Sequence, residues 1–201
     1  TPIPFEEHIV FQDDFLLVAD KPHFLPAVPA GKYLQETLLV RLKRKTGIDT
    51  LAPMHRIDRE TAGLMLFTIK PETRGAYQSL FQNKQVQKQY HAIAAFHDDL
   101  VLPMTYRSCI QESEHFMRMQ EVAGIENSET HIELIEQRNG MGKYLLKPLT
   151  GKKHQLRVHM AALGLPIFND QIYPNYIALE IESYEKPLQL LKLRRPEPRV
   201  A

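Results

Sequence analysis

A chain of 201 residues suits one domain with a sizeable core, and 43% hydrophobic with 24% charged content is ordinary for a globular protein. No apolar run approaches the ~20 residues that a membrane-spanning helix needs, and the single cysteine, Cys109, excludes an internal disulfide and a Cys-rich zinc site while fitting a reducing compartment. A formal net charge of +1 argues against a globally basic nucleic-acid binder, which leaves any such contact to local patches at 41–45, 84–88 and 152–153.

The opening Thr1-Pro2-Ile3-Pro4-Phe5 lacks the basic-then-apolar pattern of a secretory signal, and without an initiator methionine it reads as a fragment's start. Ile9-Val10-Phe11 and Phe15-Leu16-Leu17-Val18-Ala19 read as two short strands joined by a tight turn, the second ended by Lys21-Pro22. Leu34, Leu38 and Leu42 lie at helical spacing, so a helix over 34–45 is expected, basic in its last turn and stopped by Gly47. Leu64 to Ile69 suits a buried strand, and Pro71-Glu72 opens a second helix to about Asn83 with Ala76, Tyr77, Leu80 and Phe81 inward. Tyr90 to Ala95 is extended, and the polar stretch 97–128 should be strands joined by surface loops.

Thr130 to Ile135 and Tyr144 to Leu149 flank Asn139-Gly140-Met141-Gly142, a strong hairpin signal. A third helix is expected from about Lys153 to Leu163, stopped by Gly164 and Pro166. Residues 187–191 form a last core element in this reading, and 192–201 a loose tail. No repeat or low-complexity linker interrupts the chain, so 1–201 is read as one α+β domain with a mixed, largely antiparallel central sheet and flanking helices.

Function concentrates at 54–66. His55, Arg56, Asp58, Arg59 and Glu60 precede the apolar strand, so a polar cluster is held against a core. If the segment is extended, alternation puts Arg56, Asp58 and Glu60 on one side, and Gly63 lets the backbone bend before the strand. Taken by residue type alone, a solvated charge cluster capping the strand is the stronger reading.

His55-Arg56-Ile57-Asp58-Arg59-Glu60-Thr61-Ala62-Gly63-Leu64 resembles the active-site motif of the RluA-type pseudouridine synthases, His-Arg-Leu-Asp followed by two variable residues and Thr-Ser-Gly-Leu. Lys88-Gln89-Tyr90 resembles the family's Lys-x-Tyr, and Thr150 to His159 resembles its Thr-Gly-Arg-x-His-Gln-Ile-Arg-Val-His. The three motifs keep the family's order, and the likeness runs from about Val10 to Leu191. It implies the pseudouridine synthase fold and an isomerase acting on uridine in ribosomal or transfer RNA in the cytoplasm, as a monomer, with no metal and no redox cofactor.

By the same resemblance Asp58 is the catalytic aspartate, Arg157 the arginine that pairs with it and keeps it charged, and Tyr90 the tyrosine lying against the uracil. Arg56 is the cation that fills the gap left by the departing uridine. Lys88, Lys152, His154 and Gln155 join it as substrate-contacting positions, with His55 among them as a hydrogen-bonded loop histidine rather than an acid or base. On the expected helix His154 and Arg157 share one face while Gln155 and His159 share another.

Zinc-helix and P-loop readings fail, since no Glu follows His154 and Lys153 stands where a P-loop needs Ser or Thr. Departures from the family pattern are Ala62 for Ser, Lys152 for Arg, Phe168-Asn169-Asp170 for Leu-Gly-Asp, and a divergent end after Leu191. Two rivals stand beside the enzyme: a catalytically silent RNA-binding relative, and a glycoside hydrolase using Asp58 and Glu60 as a carboxylate pair.

Overall fold

In the computed structural model, residues 3–31, 33–115 and 118–173 are described. The expected core element at 187–191 and the tail lie outside them. The chain divides into two compact units, Thr1–Val86 and Gln87–Ala201.

The first unit holds a four-stranded sheet of β1 (His8–Gln12), β2 (Leu16–Lys21), β3 (Ala52–Pro53) and β4 (Gly63–Thr68), in the order β1-β2-β4-β3 with every pairing antiparallel. Alternation along β2 buries Leu17, Ala19 and Lys21, and β4 buries Met65 and Phe67 beside them. Helix α1 runs Leu38–Thr46, not from Leu34 as the spacing suggested. Thr37 decides the start: its Oγ1 accepts the Val40 N–H, a cap worth ~1 kcal/mol, and Leu34 before it is 62% exposed. A single 3₁₀ turn at Pro71–Thr73 leads into α2 (Arg74–Gln82).

The second unit is a five-stranded antiparallel sheet with one helix. Its strands are β5 (Tyr90–Ala95), β6 (Met104–Glu112), β7 (Met119–Val122), β8 (Ser128–Arg138) and β9 (Met141–Pro148), in the order β5-β9-β8-β6-β7. The β8–β9 hairpin turns at Asn139 (φ 52°) and Gly140 (φ 73°), the left-handed pair that a two-residue turn demands. Ala92, Ala94, Ile132, Tyr144 and Leu146 from the sheet, with Met160 and Leu165, make this unit's main core. Helix α3 (Gln155–Ala162) packs on β6, β7 and β8 and ends at Gly164 as expected. The expected α+β character and antiparallel pairing are both present, with the strands distributed over two sheets.

Candidate active site

Residues 54–62 are a loop between β3 and β4, so the extended alternation considered for the Asp58 segment is not what forms. A turn closes from Asp58 to Thr61, whose N–H donates to the Asp58 carbonyl at 3.1 Å. Gly63 follows at φ 130°, a conformation that side chains rarely adopt, and lets the chain bend into β4. Met54 and Ile57 are buried at 8% and 9% exposure while Arg56 is exposed, so apolar pegs seat the loop and leave a cation outside.

His55, half-buried between them, pins the loop by a polar contact. Its Nε2 accepts the Leu66 N–H at 3.2 Å and its ring stacks on Phe81, 5.0 Å between centroids, a geometry that fixes the proton on Nδ1. Glu60 is held by Arg59, whose Nε and Nη2 reach Oε1 at 3.0 and 2.8 Å while Nη1 donates to the Tyr33 hydroxyl.

A residue that motif reading passed over supports the loop from beneath. The Lys21 side chain is fully buried, and its ammonium donates to the carbonyls of Pro22 (2.9 Å), Leu25 (2.8 Å) and Arg59 (3.1 Å), which uses all three of its protons. Burial pulls its pKa down to about 8, the charges of Glu60 and Asp58 opposing the fall. A cation thus sits under the backbone beside Asp58. The signal was present in the sequence: Lys21 continues the inward positions Leu17 and Ala19 of β2.

In the second unit α3 carries two separate faces, as its spacing implied. On one, the Gln155 amide is fully engaged: Nε2 donates to Glu129 O and Thr130 Oγ1, both at 2.9 Å, and Oε1 accepts Thr150 Oγ1 at 2.7 Å and the Lys152 N–H at 3.1 Å. At 4% exposure Gln155 is a brace between helix and sheet. His159, on the same face, is wholly buried with Nδ1 3.0 Å from Thr130 Oγ1 and Nε2 3.0 and 3.1 Å from the hydroxyls of Ser128 and Ser108. Burial holds its pKa down at about 4, so the ring is neutral.

The other face gathers Arg157 and His154 around Asp170 and Tyr173. Arg157 is 8% exposed, so it is no surface residue, and within this unit Asp170 is set against it. Burial alone would raise the Asp170 pKa, but the bonds and charge of Arg157 and the N–H groups of Ile172 and Tyr173 outweigh it and hold the carboxyl below its ordinary value. The Tyr173 hydroxyl lies 2.8 Å from His154 Nδ1 and accepts the Met119 N–H, and the Arg157 guanidinium sits 5.2 Å from the Tyr173 ring centroid. Asn169 adopts φ 67°, so this departure from the family's Gly keeps a left-handed turn that Asn tolerates.

Lys88 is half-buried and donates to the Thr150 carbonyl at 3.0 Å, tying the approach to β5 to the loop that enters α3; burial lowers its pKa. Lys152 is exposed, and Tyr90, half-buried, opens β5 opposite Leu146. An open concavity of about 420 Å³ lined by Phe96, His97, Leu100, Leu102 and Leu134 includes none of these residues. Among the described residues no group of three or more His, Cys, Asp or Glu side chains is placed to hold a metal ion.

Residues 15–162 match the family of RNA pseudouridylate synthases. The chain belongs to that family. It is 32% identical over 172 residues to the dual-specificity RNA pseudouridine synthase RluA of Haemophilus influenzae, a match covering 82% of this chain and 76% of that protein. It is 30% identical over 171 residues to the mitochondrial tRNA pseudouridine(32) synthase of Saccharomyces cerevisiae, covering 83% of this chain but 37% of the yeast protein. In fold it is similar to human RNA pseudouridylate synthase domain containing 1, with a TM-score of 0.73 over 90% of this chain and 74% of that one, at 24% identity.

Proposed function

We propose that this chain isomerises a specific uridine in ribosomal or transfer RNA, with Asp58 as the catalytic carboxylate. The reaction breaks the bond from uracil N1 to ribose C1′, turns the base, and joins C5 to C1′; N1 gains a proton, C5 loses one, and nothing is oxidised. It needs a fixed carboxylate by the sugar and ring, and a way to keep the detached base in place. What supports the reading most is the fixing of the Asp58 loop, where buried Lys21 binds the Arg59 carbonyl and His55 pins the loop to β4. Such bracing is what precise presentation of one carboxylate requires.

Within this reading Arg157 keeps Asp58 ionised and aimed, Tyr90 meets the uracil, and Arg56, exposed on the loop, enters the gap the uridine leaves. The enzyme is assigned to the cytoplasm, which the single cysteine fits, and acts as a monomer. Glu60 is committed to Arg59, which speaks against its use as the acid of a glycoside hydrolase.

The deciding experiment compares the wild type with Asp58→Asn on RNA from cells that lack the protein, with C5-tritiated uridine, and maps the modified position. The wild type is expected to release tritium from one or a few uridines, and Asp58→Asn to bind the same RNA and release none. Stoichiometric binding by the wild type without release would establish the silent relative instead, and turnover by Asp58→Asn near the wild-type rate would remove Asp58 from the chemistry.

A further inference from the structure

The turn after β2 keeps an aromatic ring where the backbone calls for glycine. Phe24 sits at φ 66°, in the left-handed region that a bulky side chain enters at a cost and glycine enters freely. Core packing does not account for the residue, because Phe24 is 39% exposed while its neighbours Leu25 and Lys21 are fully buried. Its ring contacts do not account for it either: Phe5 and His23 both lie at 6.0 Å between centroids, tilted by 39° and 44°, toward the far end of the contact range for aromatic pairs.

The turn is nonetheless held firmly, and held to the Asp58 loop. The buried Lys21 ammonium binds the carbonyls of Pro22 and Leu25, on either side of Phe24, and also the carbonyl of Arg59. His23 Nδ1 donates to the Glu60 carbonyl at 2.6 Å. One cation and one imidazole therefore join residues 22–25 to residues 59–60. An exposed ring on this turn keeps a set position relative to Asp58.

We propose that Phe24, with His23 beside it, is a stacking platform for an unpaired base of the RNA adjacent to the target uridine. The proposal rests on the reading of the chain as an RNA uridine isomerase. A uridine taken out of its stack for chemistry leaves neighbouring bases with an open face, and an aromatic side chain is the sequence-tolerant partner for such a face. A strained backbone that displays an exposed ring next to the catalytic loop is then retained for substrate binding, at some expense to stability.

The test separates the ring from the backbone. Phe24→Gly relieves the positive φ while deleting the ring, and Phe24→Trp keeps a larger ring on the same backbone. On the RNA segment in which mapping locates the modified uridine, Phe24→Gly is expected to keep or raise the thermal midpoint yet lower kcat/KM by about 5- to 150-fold, equivalent to ~1–3 kcal/mol for one stacked base. The loss should fall mainly on KM, since the platform acts away from the reacting bonds, and Phe24→Trp should stay close to the wild type. An abasic nucleotide at the contacted neighbour of the uridine should lower the wild-type rate by a similar factor and lower Phe24→Gly no further.

Wild-type kcat/KM in Phe24→Gly, or abasic losses that multiply with the mutation at every neighbouring position, would overturn the platform. So would a thermal midpoint that falls in step with activity, which would make the ring structural. A wild type that forms no pseudouridine would instead remove the underlying reading.

Discussion

Asp170 holds Arg157 along one edge of its guanidinium, Nε donating to Oδ2 at 2.6 Å and Nη2 to Oδ1 at 2.8 Å, with both side chains under a tenth exposed. Asp170 is itself pinned, since Oδ1 also accepts the N–H groups of Ile172 and Tyr173. A guanidinium gripped this way has a fixed plane, and a second carboxylate has to approach it from the Nη1 side.

Removing Asp170 should therefore cost stability as well as activity. Asp170→Ala removes the carboxylate bonded to Nε and Nη2 of a buried guanidinium, and ~3–5 kcal/mol of destabilisation is expected in urea unfolding. Because the folded-state pKa of Asp170 is depressed, its contribution is complete above the ordinary value of 3.8 and fades as pH falls through the lower folded value. An Asp170→Ala unfolding free energy within a few tenths of a kcal/mol of the wild type would show that the pair is weak.

Arg157→Lys tests geometry at constant charge. An ammonium cannot span both Asp170 oxygens in one plane, so activity is expected to fall far more than the thermal midpoint, by about tenfold or more. Loss of activity only in proportion to unfolding would make Arg157 a scaffold residue.

Much of this arrangement was legible in local pattern. Tyr90–Ala95 was read with its observed bounds, the β8–β9 hairpin followed from Asn139-Gly140, and the split of α3 into a His154/Arg157 face and a Gln155/His159 face followed from spacing. What stayed hidden depends on contacts between distant residues. That Asp170, thirteen positions from Arg157, is its partner cannot be seen in helical periodicity. Nor does the motif around Gln155 reveal that Thr130, Thr150 and Glu129 engage its amide. Lys21 and Thr37 are different, for the β2 alternation and the cap position were both visible and were outweighed by the stronger signals of Pro22 and the leucine spacing.

His159 gives the fold a pH dependence of its own. Its pKa rises from about 4 when folded to about 6.5 when unfolded, so the unfolded chain binds more protons between those values. Stability from the neutral buried ring is complete above pH 6.5 and lost as pH falls toward 4, on the order of 3 kcal/mol at most. His159→Gln should flatten that window while keeping some of the bonds to Ser108, Ser128 and Thr130. Identical pH dependence of unfolding in the two proteins would assign the loss to other groups.

Tyr90 offers two roles that leave different traces. If its ring only stacks on the uracil, Tyr90→Phe keeps the stacking face and most of the activity, and only removal of the whole ring costs ~1–3 kcal/mol. If its hydroxyl takes or relays the C5 proton, Tyr90→Phe should complete glycosidic cleavage and stall before the proton leaves. The Lys88-Gln89-Tyr90 motif specifies tyrosine, which stacking alone would not require, so the hydroxyl is expected to take part. Rapid-quench analysis of Tyr90→Phe on RNA containing C5-deuterated uridine decides between them. An adduct or rearranged base that still holds the deuterium would support proton transfer through Tyr90, whereas product formation at the full wild-type rate would leave the ring as the only functional part of the side chain.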